Sequence, residues 1–215
     1  MKIIYDDKDI IVCVKPYGLL SQGDNKGNTN AVDVLKGITN SEIYPIHRLD
    51  KTTGGVMVFA KNQKSAAALS AQITDGRFNK EYLAVVGGVP KENAGELLDL
   101  LYFDRAKNKS YVVKRKRSGV KEARLYYQTL DTKKIKESDC SLLKIKLFTG
   151  RTHQIRVQFA SRGLSLVGDR RYGSQMEATD IALWSYNLSF YHPVSNEPLS
   201  FNEPPQNSIF EYFEI

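Results

Sequence analysis

Short apolar runs, of the length and type that form β-strands, are separated along this chain by polar turns that contain Gly, Pro, Asn and Asp. The longest runs, Ile10 to Val14 and Gly55 to Ala60, are far shorter than the roughly 20 apolar residues that a transmembrane helix needs. The N-terminus also lacks a charged and then apolar leader. The sequence therefore predicts a folded cytoplasmic protein.

The first half of the chain alternates predicted strands and helices. Alanines and Leu69 favour a helix over Gln63–Thr74, and Gly76 provides its stop signal. The other elements predicted in this half are strands at Ile10–Val14, Val56–Ala60 and Tyr82–Val86, a short helix at Ala31–Ile38 and an exposed loop at Ser21–Asn30.

After Pro90 the pattern changes to strands separated by polar turns, which is typical of antiparallel sheet. The strands predicted there are Tyr111–Val113, Arg124–Thr129, Ser141–Phe148, Ile181–Phe190 and Leu199–Phe201. One helix is predicted from His153 to Arg162, with Thr152 as its N-cap and Gly163 at its end. The predicted class is α+β, a mixed and mostly antiparallel sheet flanked by helices and loops, in a single domain over residues 1–215.

Two cysteines, Cys13 and Cys140, lie inside strand-like apolar stretches, where a free thiol behaves as a small buried hydrophobe. Neither a disulfide nor a zinc site is expected from them. With three histidines in total and no ligand spacing around them, the sequence predicts no bound metal.

Positive charge is concentrated in one segment. The formal net charge is +7, and the stretch from Leu101 to Arg124 alone carries nine Lys or Arg against two acidic residues, a net charge of +7. Such a segment is either a solvated charged hairpin or a loop that follows the phosphates of a nucleic acid. Its densest part is Lys114, Arg115, Lys116 and Arg117.

A carboxylate, Asp50, is predicted on a loop directly before the strand that begins near Val56, and sites often occupy such loops. Taken alone, an Asp beside Arg48 is more often an ion pair or a turn cap than a catalyst.

The motif that runs from His47 to Gly55 resembles the signature of the RluA family of pseudouridine synthases. Four further stretches are similar to motifs of that family, in the family's order and at family-like separations. They are Ile4–Leu19 with its Lys-Pro loop, Lys80–Gly87, Thr149–Val157, and Gly168–Gly173. The resemblance spans nearly the whole chain and begins within the first five residues, which implies a catalytic domain without an accessory N-terminal RNA-binding domain.

The resemblance implies that Asp50 is the catalytic aspartate, that Tyr82 stacks near the target base and that Arg156 holds the carboxylate. The chemistry agrees, because turning uridine into its carbon-linked isomer breaks and remakes one bond with no redox change. No cofactor is expected. An ionised carboxylate aimed by an arginine can support the sugar or add to the base, and a phenol can move the proton that leaves carbon five.

Other residues of these motifs are predicted to contact the RNA. A stacked uridine must be extruded before it can react, and Arg48 is the candidate that braces the gap. Structural and RNA-facing roles both stay open for His47 and His153. The predicted substrate-binding set is His47, Arg48, Thr53, Lys114, Arg115, Lys116, Arg117, Arg151 and His153.

Three positions depart from the family pattern. Gly54 stands where a serine is usual, Gln158 where a histidine is common, and Trp184 where another histidine is common. None of them removes a predicted catalytic group.

The sequence therefore predicts an isomerase that acts on ribosomal or transfer RNA, with a monomer as the default state. One rival is a non-catalytic RNA-binding or RNA-folding factor on the same fold, although the presence of Asp50, Tyr82 and Arg156 weakens it. A second rival is a nucleosidase-like hydrolase, which would normally use a second acid or a metal. No second carboxylate motif appears, and Glu81 and Asp169, the nearest candidates for a second acid, are expected to have structural roles.

Overall fold

The computed structural model describes residues 1–24, 27–206 and 208–215, and it divides into two compact units. The first unit comprises Met1–Lys80 and Trp184–Pro205, and the second comprises Glu81–Leu183 and Gln206–Ile215. Within the loop predicted at Ser21–Asn30, positions 25 and 26 lie outside the described residues.

Two strands that are buried along their whole length form the centre of the first unit, β2 (Ile10–Lys15) and β4 (Gly54–Ala60). They pair antiparallel, and their continuous apolar runs are typical of strands that are covered on both faces. The other strands of this unit are β1 (Lys2–Asp6), β3 (Tyr44–Pro45), β10 (Leu183–Tyr191) and β11 (Pro198–Asn202). Pairing is antiparallel except between β4 and β10, which run parallel.

Both helices of the first unit begin at an asparagine cap. The side chain of Asn30 accepts the N–H of Asp33 at the start of α1 (Ala31–Thr39), and that of Asn62 accepts the N–H of Ser65 at the start of α2 (Gln63–Asp75). Gly76, with φ of 83°, ends α2 as predicted. Leu69 of α2 is fully buried in the core that Val56 and Val58 of β4 help to form.

The second unit contains five antiparallel strands, which confirms the prediction of mainly antiparallel sheet after Pro90. Their bounds are β5 (Asn79–Gly87), β6 (Ala94–Asp104), β7 (Lys109–Val113), β8 (Val120–Ile135) and β9 (Ser138–Leu147). They are adjacent in the order β5, β9, β8, β6, β7. One helix, α3 (Gln154–Ala160), belongs to this unit.

The prediction that Thr152 caps α3 is wrong. The cap position is His153, which has a left-handed backbone with φ of 55° and makes no side-chain capping bond. The turn is closed instead by Gln154, whose Oε1 accepts the N–H of Arg151 at 3.0 Å. The helix also ends at Ala160, before the predicted Arg162.

Strand content and pairing confirm the predicted class, α+β with mixed and mostly antiparallel sheet. Cys13 and Cys140 are both buried as free thiols, in β2 and β9. Among the described residues, none of the helices is both long enough and apolar enough to cross a membrane.

Candidate active site

Asp50 lies in a loop directly before β4, as the sequence predicted. The N–H of Thr53 donates to the carbonyl oxygen of Asp50 at 3.0 Å and closes a turn, and Thr53 itself is buried. The N–H of Gly18 donates to the carbonyl oxygen of Lys51 at 2.8 Å. The second of these bonds fixes the backbone on the C-terminal side of Asp50 to the Lys-Pro loop.

Ser21 fixes the backbone on the other side of Asp50. Its hydroxyl donates to the carbonyl oxygen of Leu49 at 2.8 Å and accepts the N–H of the same residue at 2.9 Å. Both residues are buried. Sequence analysis missed Ser21 because nothing in a polar loop distinguishes a serine that anchors another segment from one that faces solvent.

Lys15 brings a buried positive charge into the surroundings of Asp50. It is 0% exposed, and its Nζ donates to the carbonyl oxygens of Pro16 at 2.8 Å and Leu19 at 2.7 Å. Burial lowers the pKa of Lys15 to about 8, and the negative charge of Asp50 acts in the opposite direction. The Lys-Pro loop therefore contributes both backbone anchors and charge to the region around Asp50.

Gly54 and Trp184, two of the departures from the family pattern, belong to one packing arrangement. They are opposite each other where β4 and β10 pair, and a Cβ atom on Gly54 would overlap the Trp184 ring. The indole is 1% exposed, and its Nε1 donates to the carbonyl oxygen of Glu203 at 2.8 Å. The missing side chain at position 54 thus provides the space that the indole fills.

His47 is held inside the first unit as a neutral ring. Its Nε2 accepts the N–H of Val58 at 3.2 Å, and its ring lies 5.5 Å from that of Phe78. Burial, with a smaller effect of the Lys80 charge, lowers the pKa of His47 to about 3. This geometry supports the structural role for His47 over an RNA-facing one, whereas the neighbouring Arg48 is exposed.

Arg156, in the first turn of α3, is 4% exposed and forms a bidentate ion pair with Asp169. Its Nε and Nη2 donate to the two carboxylate oxygens at 2.6 and 2.9 Å, and its guanidinium lies 5.0 Å from the ring centre of Tyr172. Asp169 was expected to be structural, but its pairing with Arg156 was not predicted. Contact between Arg156 and Asp50 stays a prediction.

Tyr82 lies in β5 opposite Ile145 and is 5% exposed. The three predicted catalytic residues are thus distributed between the two units, with Asp50 in the first and Tyr82 and Arg156 in the second.

A hydrogen-bonded group of the second unit includes His153. The Tyr172 hydroxyl accepts the N–H of Ser110 at 2.8 Å and lies 3.0 Å from Nδ1 of His153. The His153 ring is buried and meets the ring of Phe103 edge-on. For this residue too, burial supports the structural role.

Two glutamines of α3, Gln154 and Gln158, hydrogen-bond to other segments of the second unit. The Gln154 side chain accepts from the Thr149 hydroxyl at 2.8 Å, besides the N–H of Arg151. The Arg151 side chain is oriented by the carbonyl oxygen of Glu122, which its Nε reaches at 2.8 Å. Gln158, the remaining departure from the family pattern, donates to Asp99 at 2.8 Å.

The predicted basic segment forms the end of β6, all of β7 and the beginning of β8. Lys114, Arg115, Lys116 and Arg117 are all exposed in the loop between β7 and β8. Lys114 to Lys116 form no ion pair with the described residues, and the Arg117 guanidinium lies 5.0 Å from the ring centre of Tyr102. The charged hairpin is present, and its contact with phosphates stays a prediction.

One group of side chains could hold a metal ion. Ligand atoms of Asp7, Asp9 and His192 lie within 4.8 Å of one another. The His192 ring already uses both nitrogens, because Nε2 lies 2.9 Å from Asp7 and Nδ1 accepts the N–H of Ser195 at 3.1 Å. These hydrogen bonds explain why the three side chains lie close together. They connect the turn after β1 with the turn after β10.

Comparison with known proteins identifies the class. A family model described as RNA pseudouridylate synthase matches residues 9–161. An uncharacterized RNA pseudouridine synthase of Aquifex aeolicus is 35% identical, and the match covers 100% of this chain and 73% of the relative. The ribosomal large subunit pseudouridine synthase D of Zymomonas mobilis is 31% identical, with 96% of this chain and 70% of the relative covered.

Solved structures show the same fold. Human RNA pseudouridylate synthase domain containing 4 superposes with a TM-score of 0.76 at 24% identity, covering 95% of this chain and 89% of that one. Human RNA pseudouridylate synthase domain containing 1 gives a TM-score of 0.78 at 21% identity, covering 95% and 83%.

The chain therefore belongs to the RNA pseudouridylate synthase family, in its RluA-type branch. Its activity is the isomerisation of uridine to pseudouridine, and its partner is RNA.

Proposed function

We propose that Asp50 is the catalytic carboxylate of this isomerase and that Tyr82 and Arg156 act with it. The observation that carries the proposal is the support given to the Asp50 loop. One backbone bond from Gly18 and the hydroxyl of Ser21 fix the residues on both sides of Asp50. A catalytic group must be held in a productive position, and this loop is built to do that.

Each group has a defined chemical role. The reaction breaks the bond between uracil N1 and the ribose, rotates the base and joins carbon five to the same ribose carbon. The Asp50 carboxylate supports the sugar or adds to the base, and the Arg156 guanidinium, which stays charged at any working pH, compensates negative charge. Tyr82 offers a ring face for the displaced base, and its hydroxyl can pass its own proton to water while it takes up the one that leaves carbon five. N1 of the rejoined base gains a proton from water, so no proton is lost overall.

Two features weigh against a hydrolase, which would need a second free acid. Glu81 lies 3.1 Å from the Lys144 ammonium on β9 and Asp169 is bound by Arg156. Both nearby carboxylates thus have structural partners.

We infer that the substrate is large-subunit ribosomal RNA, because relatives that match most of this chain carry that substrate in their names. Transfer RNA is the second candidate. We propose further that the protein is a monomer in the cytoplasm. Sedimentation of the purified chain tests its oligomeric state.

Pseudouridine mapping of ribosomal and transfer RNA from cells that lack the protein tests function and substrate together. We expect one or a few sites to disappear, to return with the wild type and to stay absent with Asp50→Asn. Glu42→Gln is the matched control, because it removes one negative charge from an exposed residue of the same unit. It should restore every site.

Other results would point elsewhere. Full restoration by Asp50→Asn would make Asp50 structural. Loss of no site in the deletion strain, together with RNA binding by the purified protein, would favour the non-catalytic RNA-binding factor.

A further inference from the structure

The second unit contains a cleft of about 750 Å³ between the β6–β7 hairpin and the turn at Gly150–Thr152. Its volume lies within the roughly 300–1,000 Å³ that is usual for small-ligand sites. The residues that line it include Tyr102, Phe103, Arg105, Lys121 and Arg151.

The cations of this cleft have no acidic partners within the part of the chain that the structure describes. Arg105 and Lys121 are exposed and form no ion pair with the described residues. Among the described residues, the Arg151 side chain donates to a main-chain oxygen, that of Glu122, and to no carboxylate. Asp104 is the single acid among the lining residues, and its Oδ1 is occupied by the N–H of Lys107 at 3.0 Å.

Several cations elsewhere in the same unit have acidic partners. Arg124 pairs with Glu96 at 2.7 Å and Arg162 with Asp99 at 2.9 Å. Two other clefts of this unit contain no Lys or Arg in their linings and include Asp131 or Asp139. The hairpin cleft therefore differs from these two clefts in that its lining carries unpaired cations, and a concave surface of that kind fits an anionic ligand.

An aromatic wall adds a second type of recognition. The Tyr102 ring is half-buried, carries the Arg117 guanidinium at 5.0 Å from its centre, and has a hydroxyl with no hydrogen bond to the described residues. An aromatic ring beside arginine is a surface on which a nucleobase stacks. Acidic peptides would use the cations but not the ring.

We propose that the hairpin cleft binds one nucleotide of the substrate RNA other than the target uridine. Its phosphate lies among Arg105, Lys121 and Arg151, and its base stacks on the surface formed by Tyr102 and Arg117. This inference rests on the proposed function. The cleft holds the strand in register and takes no part in the bond-breaking step.

Steady-state kinetics on an unmodified transcript of large-subunit ribosomal RNA test the cleft. Lys121→Glu should raise KM by about tenfold and leave kcat nearly unchanged, because one phosphate contact is worth about this much in affinity. Lys91→Glu is the matched control, since Lys91 is an exposed lysine of the same unit outside the cleft. It should keep the KM of the wild type.

The aromatic wall has its own variants. Tyr102→Leu should weaken binding of a short fluorescent oligouridylate, whereas Tyr102→Phe should not, because only the ring is needed for stacking. Equal affinities of Tyr102→Leu and the wild type would overturn the nucleotide assignment. So would displacement of the oligouridylate by polyglutamate as efficiently as by RNA.

Failure of this inference is distinguishable from failure of the proposed function. If Lys121→Glu behaves like Lys91→Glu while wild type is active and Asp50→Asn is not, the cleft is not a nucleotide site and the role of Asp50 stands. If Asp50→Asn is active, the proposed function fails whatever the cleft variants show.

Discussion

Each unit of the protein buries a positive charge, but Lys15 in the first and Arg156 in the second are stabilised in different ways. Lys15 donates to main-chain oxygens of Pro16 and Leu19, and burial lowers its pKa to about 8. Arg156 has its own buried carboxylate, Asp169, in a bidentate pair. The Lys15 ammonium can therefore lose its proton near pH 8, whereas the Arg156 guanidinium stays charged.

Removal of Asp169 should have the largest effect on stability. Asp169→Ala leaves the Arg156 guanidinium without its bidentate partner in a buried site, and we expect a loss of about 3–5 kcal/mol in the free energy of unfolding. Urea denaturation measures it. Glu177→Ala is the control, because it breaks the exposed pair with Arg170 and should change stability little. Similar losses in both variants would show that burial of the pair is not what matters.

Titration of Lys15 should affect stability next most strongly. Its pKa is lowered from 10.5 to about 8 in the fold, so the unfolded chain binds more protons between these values. The free energy of unfolding contributed by Lys15 therefore rises with pH across this window, by up to about 3 kcal/mol. Subtracting the pH profile of Lys15→Met from that of the wild type isolates this contribution. A flat difference between pH 8 and 10.5 would mean that Lys15 titrates normally.

The Gly54 and Trp184 packing should give the smallest of these effects. Gly54→Ala should cost about 2 kcal/mol, because the added methyl group overlaps the buried indole. In the Trp184→His background the same change should cost much less, since the smaller ring leaves space. Thermal unfolding of the four proteins of this double-mutant cycle measures the coupling. Additive effects would show that Gly54 and Trp184 do not influence each other's contribution to stability, contrary to their packing in the structure.

Local sequence patterns predicted most strands and helices but missed a strand whose two faces carry the same residue type. Strand β6 was missed because Leu97, Leu98, Leu100 and Leu101 place leucine on both faces, which hides the alternation of a half-buried strand. Strand β8 continues to Ile135, beyond the predicted Thr129, through an irregularity in its pairing near Asp131.

The candidate site shows the same division between local and distant information. The position of Asp50 before a strand is a local property, and the sequence predicted it. Three features depend on segments that meet only after folding: the support of its loop by Ser21, the electrostatic effect between Asp50 and Lys15, and the pairing of Arg156 with Asp169. Gly54 and Trp184 were each visible as departures from the family pattern, but their contact was not.

Tritium release from a transcript labelled at carbon five of uridine tests the central claim most directly, because that hydrogen leaves only when the base is rejoined through carbon five. With Asp50 as the catalytic carboxylate, wild type should release tritium in proportion to the pseudouridine formed, and Asp50→Asn should bind the transcript normally and release none. Release by Asp50→Asn at the wild-type rate would contradict the assignment.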